Sequence, residues 1–439
     1  MAVKNKQMKK FLKYVMSLMA VMAMNLPLQA QVVVDDNGGE RNEEAIEEKA
    51  DSINDDVTMV DSLSADTLKM PWPQAVQKGI DKLLKSKMFE TSQVGIMVWD
   101  LEADSCIYSF QEKQLMRPAS TMKLLTAITA LDKFGGSYQF KTTLKYTGTV
   151  ENGVLRGDVY CVGGMDPRFN NDDMTAFVNS LKEMGVDSIQ GTIYADRSMK
   201  DADLLGEGWC WDDDNPVLSP LVFGRKDVFM DRFLAKLKDV GIVYSGFGLS
   251  VKRCPPSAFT VCTRFHTMDQ ILHKMMKDSD NLYAESMYYQ VAASTGNRPA
   301  SAKSARVVER QLIKKLGLDP QRYRLADGSG LSLYNYLSAE METLLLRYAY
   351  RHETILPHLK PSLPIAGVDG TLKNRMRSGF AHGNVKAKTG TLTGIISLAG
   401  YCKAANGHDL CFSIINNGVM HASNARNFAD KVCELLCKP

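Results

Sequence analysis

The sequence predicts an α+β protein: one antiparallel sheet built from both ends of the chain, flanked by helices, with a single α/β module inserted between them. Three observations predict it. Two alternating strand patterns lie just after residue 90, and three more lie after residue 380. Between them, from about 140 to 250, short strands, glycine turns and short helices replace the longer patterns of both flanks. A chain of 439 residues suits two or three domains. Its 45% hydrophobic and 23% charged residues exclude a collagen-like, wholly disordered or multi-spanning membrane chain. A net charge of +3 gives no argument for a nucleic-acid partner.

Residues 1–30 read as an export signal. Lys4, Lys6, Lys9, Lys10 and Lys13 make a basic start, Tyr14 to Leu28 is apolar, and Leu28-Gln29-Ala30 offers a small residue for cleavage. The apolar run falls short of the roughly 18 residues a membrane span needs, so no stable transmembrane segment is expected after cleavage. Residues 31–70 read as an acidic disordered linker, since 12 Asp and Glu stand against Arg41 and Lys49 between 35 and 66. The expected location is outside the cytoplasm, in the periplasm, with membrane or wall association.

The folded part divides into a main domain, 71–139 with 251–439, and an inserted domain, 140–250. Residues 92–100 and 106–110 alternate and are β-branched, so they form a hairpin. Leu124, Leu125, Ile128, Leu131 and Phe134 recur at helical spacing, and Gly135-Gly136 ends that helix, which spans 120–134. In the insert, strands run over 140–150 and 154–162, and helices over 174–184 and 230–240. Helices follow over 265–277, 282–293 and 340–350, then strands over 384–392, 395–404 and 409–416, and a last helix over 421–437.

Nine cysteines include no Cys-x-x-Cys, and their odd number leaves at least one without an intrachain partner. Cys254 and Cys262 flank a candidate hairpin and are the first pair to examine for a disulfide. The seven histidines show no zinc spacing, so neither metal nor cofactor is expected.

The chemistry centres on Ser120-Thr121-Met122-Lys123. Residues three apart share a helix face, which brings the Lys123 amine within reach of the Ser120 hydroxyl. A serine needs a base to become a nucleophile, and a lysine can serve once burial or a neighbouring cation makes it neutral. The helix start adds N–H groups suited to an oxyanion. About two Ser-x-x-Lys matches arise by chance in this length, so the motif decides nothing alone. Ser279-Asp280-Asn281 lies between two helices, and Lys388-Thr389-Gly390 lies on a strand of the end-sheet. A nucleophile, a polar side wall and a strand for substrate addition are what peptide cleavage by a serine requires.

These three motifs resemble those of the penicillin-recognising serine enzymes. Longer strings narrow the resemblance to the serine-type D-Ala-D-Ala carboxypeptidase/endopeptidases, the class C low-molecular-mass penicillin-binding proteins. The strings are Arg117-Pro118-Ala119-Ser120-Thr121, Gly163-Gly164-Met165-Asp166-Pro167, Asp327-Gly328-Ser329-Gly330-Leu331-Ser332, Leu363 to Lys373 and Lys388 to Thr391. The resemblance covers about residues 75–435. It implies a penicillin-binding/β-lactamase-like transpeptidase domain that cleaves peptidoglycan stem peptides through a serine acyl-enzyme and is trapped covalently by β-lactams. Ser120 would be the nucleophile and Lys123 its base. Ser279 and Asn281 would line the cleft, with Ser279 passing a proton to the leaving amine. Lys388 and Thr389 would hold the substrate carboxylate, Gly390 and Thr391 would contact the peptide, and the N–H groups of Ser120 and Thr391 would form the oxyanion hole. Alternatives are a serine β-lactamase or esterase on the same fold, or a non-catalytic wall-binding protein.

The chain also departs from the family pattern. Only 159 residues separate the first two motifs, short for this family, so one inserted module is expected where relatives often carry two. Leu333 stands where an Arg is usual, and Met165 where a third Gly is usual. Asp166 is a candidate substrate contact reaching in from the insert, with capping of the turn before Pro167 as the favoured alternative. Trp209 and Trp211 are candidates for stacking on sugar or for partial burial. Asp327 and Asp369, in glycine-rich turns, are expected to make structural hydrogen bonds.

Overall fold

In the computed structural model the described residues are 70–211, 215–245 and 248–438. The expected signal peptide, all but the last residue of the expected linker, and Asp212 to Asp214 lie outside them. In chain order the elements are α1 (Trp72–Leu83), β1 (Gln93–Asp100), β2 (Ser105–Phe110), α2 (Lys123–Phe134) and β3 (Gln139–Tyr146). Next come β4 (Thr149–Glu151), β5 (Val154–Arg156), β6 (Val159–Val162), α3 (Asn171–Glu183), β7 (Ser188–Ile189) and β8 (Ile193–Asp196). Then follow α4 (Phe229–Asp239), β9 (Val243–Tyr244), β10 (Gly248–Val251) and β11 (Phe259–Thr267). The last part comprises α5 (Met268–Lys277), α6 (Asn281–Ala293), α7 (Ala302–Lys315), α8 (Ala339–Tyr350), α9 (Leu356–Ser362), β12 (Lys386–Leu392), β13 (Ile395–Lys403), β14 (Asp409–Asn417) and α10 (Ala422–Cys437).

The main sheet has the order β12-β13-β14-β1-β2, antiparallel throughout, and so is built from both chain ends as expected. Successive residues of a strand face opposite sides, and both sides here are apolar. Leu398, Phe412 and Ile414 pack with α1 and α10 through Ile80, Phe428 and Val432. Ala399, Tyr401 and Cys411 face the other way, onto α2, α5, α6 and α8. Helix α2 lies inside that second layer, where every residue from Lys123 to Leu131 is buried. Its first turn is tighter than expected: Ala119–Met122 is a 3-10 turn, and regular α-helix starts at Lys123.

The middle region forms a mixed sheet, β10-β8-β6-β3-β11, and a small one, β4-β5-β7-β9, with α3 and α4 packed against a shared core. The long strands expected at 140–150 and 154–162 are each broken in two. The break comes where their backbones cross: a Cβ on Gly148 would lie 1.9 Å from the Arg156 carbonyl oxygen, and one on Gly157 1.8 Å from that of Thr147. The helix expected over 265–277 begins at Met268 instead. Phe259–Thr267 is a β-branched run that pairs antiparallel with β3, so the middle sheet extends past residue 250. Thr267 then ends the strand and caps α5 through a reciprocal bond with Gln270. Cys254 and Cys262 are both reduced thiols, Cys262 within β11 and Cys254 in the segment before it.

Candidate active site

Ser120 is presented by the 3-10 turn that opens α2. The chain enters this turn through Ala119, held at φ 50°, a left-handed value that needs support from its surroundings. That support is local. The Pro118 carbonyl accepts from Thr121 Oγ1 at 2.8 Å and from Ser397 Oγ at 2.5 Å. Strand β12 presses on the same turn. A Cβ on Gly390 would sit 2.1 Å from Ser397 Oγ, 2.7 Å from the Pro118 oxygen and 3.0 Å from Ser120 N. Gly390 therefore serves by lacking a side chain: it lets the strand lie against the Ser120 turn.

The Lys123 side chain is fully buried and its Nζ lies 2.9 Å from Ser120 Oγ, 2.7 Å from Asn281 Oδ1 and 2.9 Å from the Ser329 carbonyl oxygen. One partner from the same turn and two from distant segments fix one amine. In its neutral form, two N–H bonds can serve Asn281 and Ser329 while the lone pair faces the Ser120 hydroxyl, the arrangement a general base needs.

Lys388, also fully buried, donates to Ser279 Oγ at 2.8 Å and to the Thr389 carbonyl at 2.8 Å. Ser279 holds a left-handed φ of 61°. Asp280, next in sequence, caps α6 through Tyr283 N and accepts from Arg225 of the middle region at 3.2 Å. The turn 279–281 thus serves both lysines, Ser279 for Lys388 and Asn281 for Lys123. Thr389 Oγ1 donates to Thr371 Oγ1 at 2.7 Å. Strand β12 ends the main sheet, and its first residues are covered by Pro364 to Ala366. From Lys388 to Leu392 its outer edge has no strand partner among the described residues.

Residues 76–224 and 216–438 match the D-Ala-D-Ala carboxypeptidase 3 (S13) family. The chain belongs to that family. It is 27% identical over 419 residues to the D-alanyl-D-alanine carboxypeptidase DacB of Haemophilus influenzae, covering 76% of this chain and 87% of the relative. It is 25% identical over 439 residues to the D-alanyl-D-alanine carboxypeptidase of Actinomadura sp., covering 78% and 81%. The crystal structure of penicillin binding protein 4 from Haemophilus influenzae shares the fold, with a TM-score of 0.74, 24% identity, and coverage of 81% of this chain and 97% of that one.

Within this S13 fold, the sequence-predicted Ser120, Lys123, Ser279, Asn281 and Lys388 come together, with Thr389, Gly390 and Thr391 on the adjoining strand. Asp166 does not join them from the position it holds. It is 1% exposed, its Oδ1 accepts from Arg168 N, and its Oδ2 lies 2.7 Å from His266 Nδ1. Burial raises its pKa from the usual carboxylate value. In this arrangement the carboxylate is used within the middle region, in keeping with the turn-capping alternative. Trp209 is buried and donates to Asp327 Oδ2 at 2.8 Å, whereas Trp211 is exposed.

The structural hydrogen bonds expected of Asp327 are present, but sequence reasoning missed that they support Lys123. Asp327 accepts from Gly330 N, Ser332 N, Asn335 Nδ2 and the Trp209 indole, and so shapes the loop that carries the Ser329 carbonyl. Glu285, fully buried on α6, accepts from Gly328 N at 3.0 Å and Ser329 N at 2.8 Å. Burial, with Asp327 nearby, pushes the Glu285 carboxyl up to about 8. A second buried carboxyl, Glu342, lies against Ser413 and Thr121 and is pushed up to about 7 by burial. A Glu within the buried helix α6 was the available signal, but its role depends on contacts more than 40 residues away.

Proposed function

We propose that this protein is an exported D-alanyl-D-alanine carboxypeptidase/endopeptidase that cleaves peptidoglycan stem peptides, with Ser120 as nucleophile. The observation that carries the reading is the Ser120–Lys123 pair, backed by Gly390 of an open-edged strand. A stem peptide adds to β12 along Lys388 to Leu392, pairing main chain with main chain. Its terminal carboxylate meets Lys388 and Thr389. Lys123 takes the Ser120 proton as Oγ attacks the penultimate D-Ala carbonyl, and the oxyanion that forms faces the N–H groups of Ser120 and Thr391. Collapse breaks the peptide bond, and Ser279 relays the proton held by Lys123 to the leaving amine, which returns Lys123 to its neutral form. Water then attacks the acyl-enzyme with Lys123 again as base, which restores Ser120. The region from Gln139 to Thr267 is read as a single inserted domain, and the chain is read as periplasmic. Among the described residues no helix is long and apolar enough to cross a membrane.

The test is Ser120→Ala, which should abolish both D-Ala release from stem peptides and covalent penicillin labelling. Labelling retained in that variant would remove Ser120 from the role. Rapid turnover of penicillin by the unaltered protein, in place of a stable adduct, would turn the reading toward a β-lactamase.

A further inference from the structure

A cavity of about 470 Å³ opens among the segments 197–204, 218–220, 253 and 298–299. None of the residues grouped around Ser120 lines it. Its volume suits a small ligand or a side group of a polymer. Four cations line it, Arg197, Lys200, Arg253 and Arg298, against the single carboxylate of Asp201.

These cations divide into two pairs. Arg197 is held in a bidentate ion pair by Asp227, at 2.9 and 2.7 Å. Lys200 is buried, with Nζ 2.6 Å from Asp201 Oδ1, bonded also to the Asp201 and Asp203 carbonyls, and 4.5 Å from the Tyr289 ring centroid. Their charges are met within the protein. Arg253 and Arg298 are exposed, and neither has a hydrogen-bond or ion-pair partner among the described residues.

The backbone that carries them is nonetheless pinned. Buried Asp196 accepts from Ser198 N at 2.9 Å and Cys254 N at 2.8 Å, tying the Arg197 segment to the Arg253 segment. Ala300 N donates to Met199 O at 2.8 Å and Asp201 N to Ala300 O at 2.9 Å, tying in the Arg298 segment. Two uncompensated guanidinium groups, anchored beside a walled cavity, form a receptor for a planar or tetrahedral oxyanion.

We propose that this cavity is an anion subsite that takes a carboxylate or phosphate group of the wall polymer, apart from the scissile bond. The identity of the polymer rests on the peptidase reading above; the anion chemistry rests on the cavity. Binding here would hold the enzyme on an insoluble, charged substrate while the Ser120 site works on a neighbouring stem.

The experiment compares the full chain with the double variant Arg253→Ala/Arg298→Ala in co-sedimentation with purified sacculi, between about 50 and 200 mM salt. The double variant should bind untreated sacculi at least about fivefold more weakly at low salt and lose most of the salt dependence. Its kcat/KM on a soluble D-Ala-D-Ala peptide and its penicillin labelling should stay unchanged. The difference between the two proteins is then measured on sacculi with amidated carboxyls and on sacculi stripped of phosphate by hydrofluoric acid. Disappearance on the first assigns stem carboxylates, and disappearance on the second assigns phosphate. Equal binding of both proteins to untreated sacculi overturns the proposal, as does a difference that survives both treatments. Absence of D-Ala release and labelling in the unaltered protein would instead defeat the peptidase reading, and would leave the binding comparison readable.

Discussion

Asp166 and Asp327 both sit in glycine-rich turns, both are 1% exposed, and both accept hydrogen bonds on each carboxylate oxygen. They differ in what depends on them. The Asp327 turn carries the Ser329 carbonyl that accepts from Lys123, so its geometry is passed to the amine beside Ser120. The Asp166 carboxylate bonds His266 and its own turn, and the turn's further bond, from Gln290 of α6 to the Gly164 carbonyl, does not reach the Ser329 loop or Lys123. Buried aspartates in such turns stabilise wherever they occur; proximity to the reacting atoms comes only from the topology around them.

The strongest way to sharpen this contrast is to remove the group the Asp327 turn supports. Lys123→Ala should slow penicillin acylation by about 10²- to 10⁴-fold while the fold stays intact, the range a lost general base costs. Wild-type acylation in that variant would detach Lys123, and with it the Asp327 turn, from the chemistry. Next comes Asp327→Asn. It keeps the volume but replaces one of two oxygens that share five donors, so at least two buried donors lose their acceptor. Each such loss costs about 1–3 kcal/mol, and if half of one falls on the Lys123 geometry, acylation drops about 3- to 10-fold. An unaltered acylation rate with a lowered Tm would make Asp327 structural only.

The third test concerns Glu285, which supports the same turn from α6. Its folded-state pKa of about 8 lies above the ordinary 4.5, so folding favours its protonated form. The stability it contributes is full below about pH 4.5 and is lost as the pH rises through 8, with a slope of up to about 1.4 kcal/mol per pH unit. Glu342, raised from 4.5 to about 7, adds a slope of the same sign over a narrower window. Glu285→Gln keeps an acceptor for Gly328 N and Ser329 N but cannot titrate. Denaturant unfolding should therefore show a flatter decline between pH 5 and 8 in the variant. An identical decline in both proteins would mean that Glu285 is ionised in the fold.

What could be read from the sequence follows the range of the interactions. The hairpin of β1 and β2, the three C-terminal strands and the body of α2 are governed by local alternation and spacing, and the structure has them close to where that pattern puts them. Lys123 lies one turn from Ser120, so their pairing also needs only helix geometry. Other features depend on chain crossings that no window contains. The breaks at Gly148 and Gly157 come from two strands touching, and β11 is a strand because β3 is there to receive it. Glu285 reads as one of several polar residues on α6 until that helix meets the turn 328–329. The substrate role expected for Asp166 came from a string near the cleft in family resemblance, and the string carries no information about His266, 100 residues on.

That last case gives the smallest expected effect. Asp166→Asn keeps an acceptor for Arg168 N but exchanges the carboxylate oxygen facing His266 for an amide. The loss is one buried charge-assisted bond, worth about 1–3 kcal/mol of stability. Because Asp166 contacts β11 and its own turn rather than Lys123 or Lys388, the cost should fall on unfolding and not on chemistry. Tm should drop by a few degrees while the acylation rate on penicillin and kcat/KM on a stem peptide stay within about twofold of the unaltered protein. Stem peptide is the stricter probe, since it reaches further along the cleft than penicillin. A tenfold loss on the peptide with penicillin acylation preserved would give Asp166 the substrate contact that its burial denies it, and would require the middle region to open during binding.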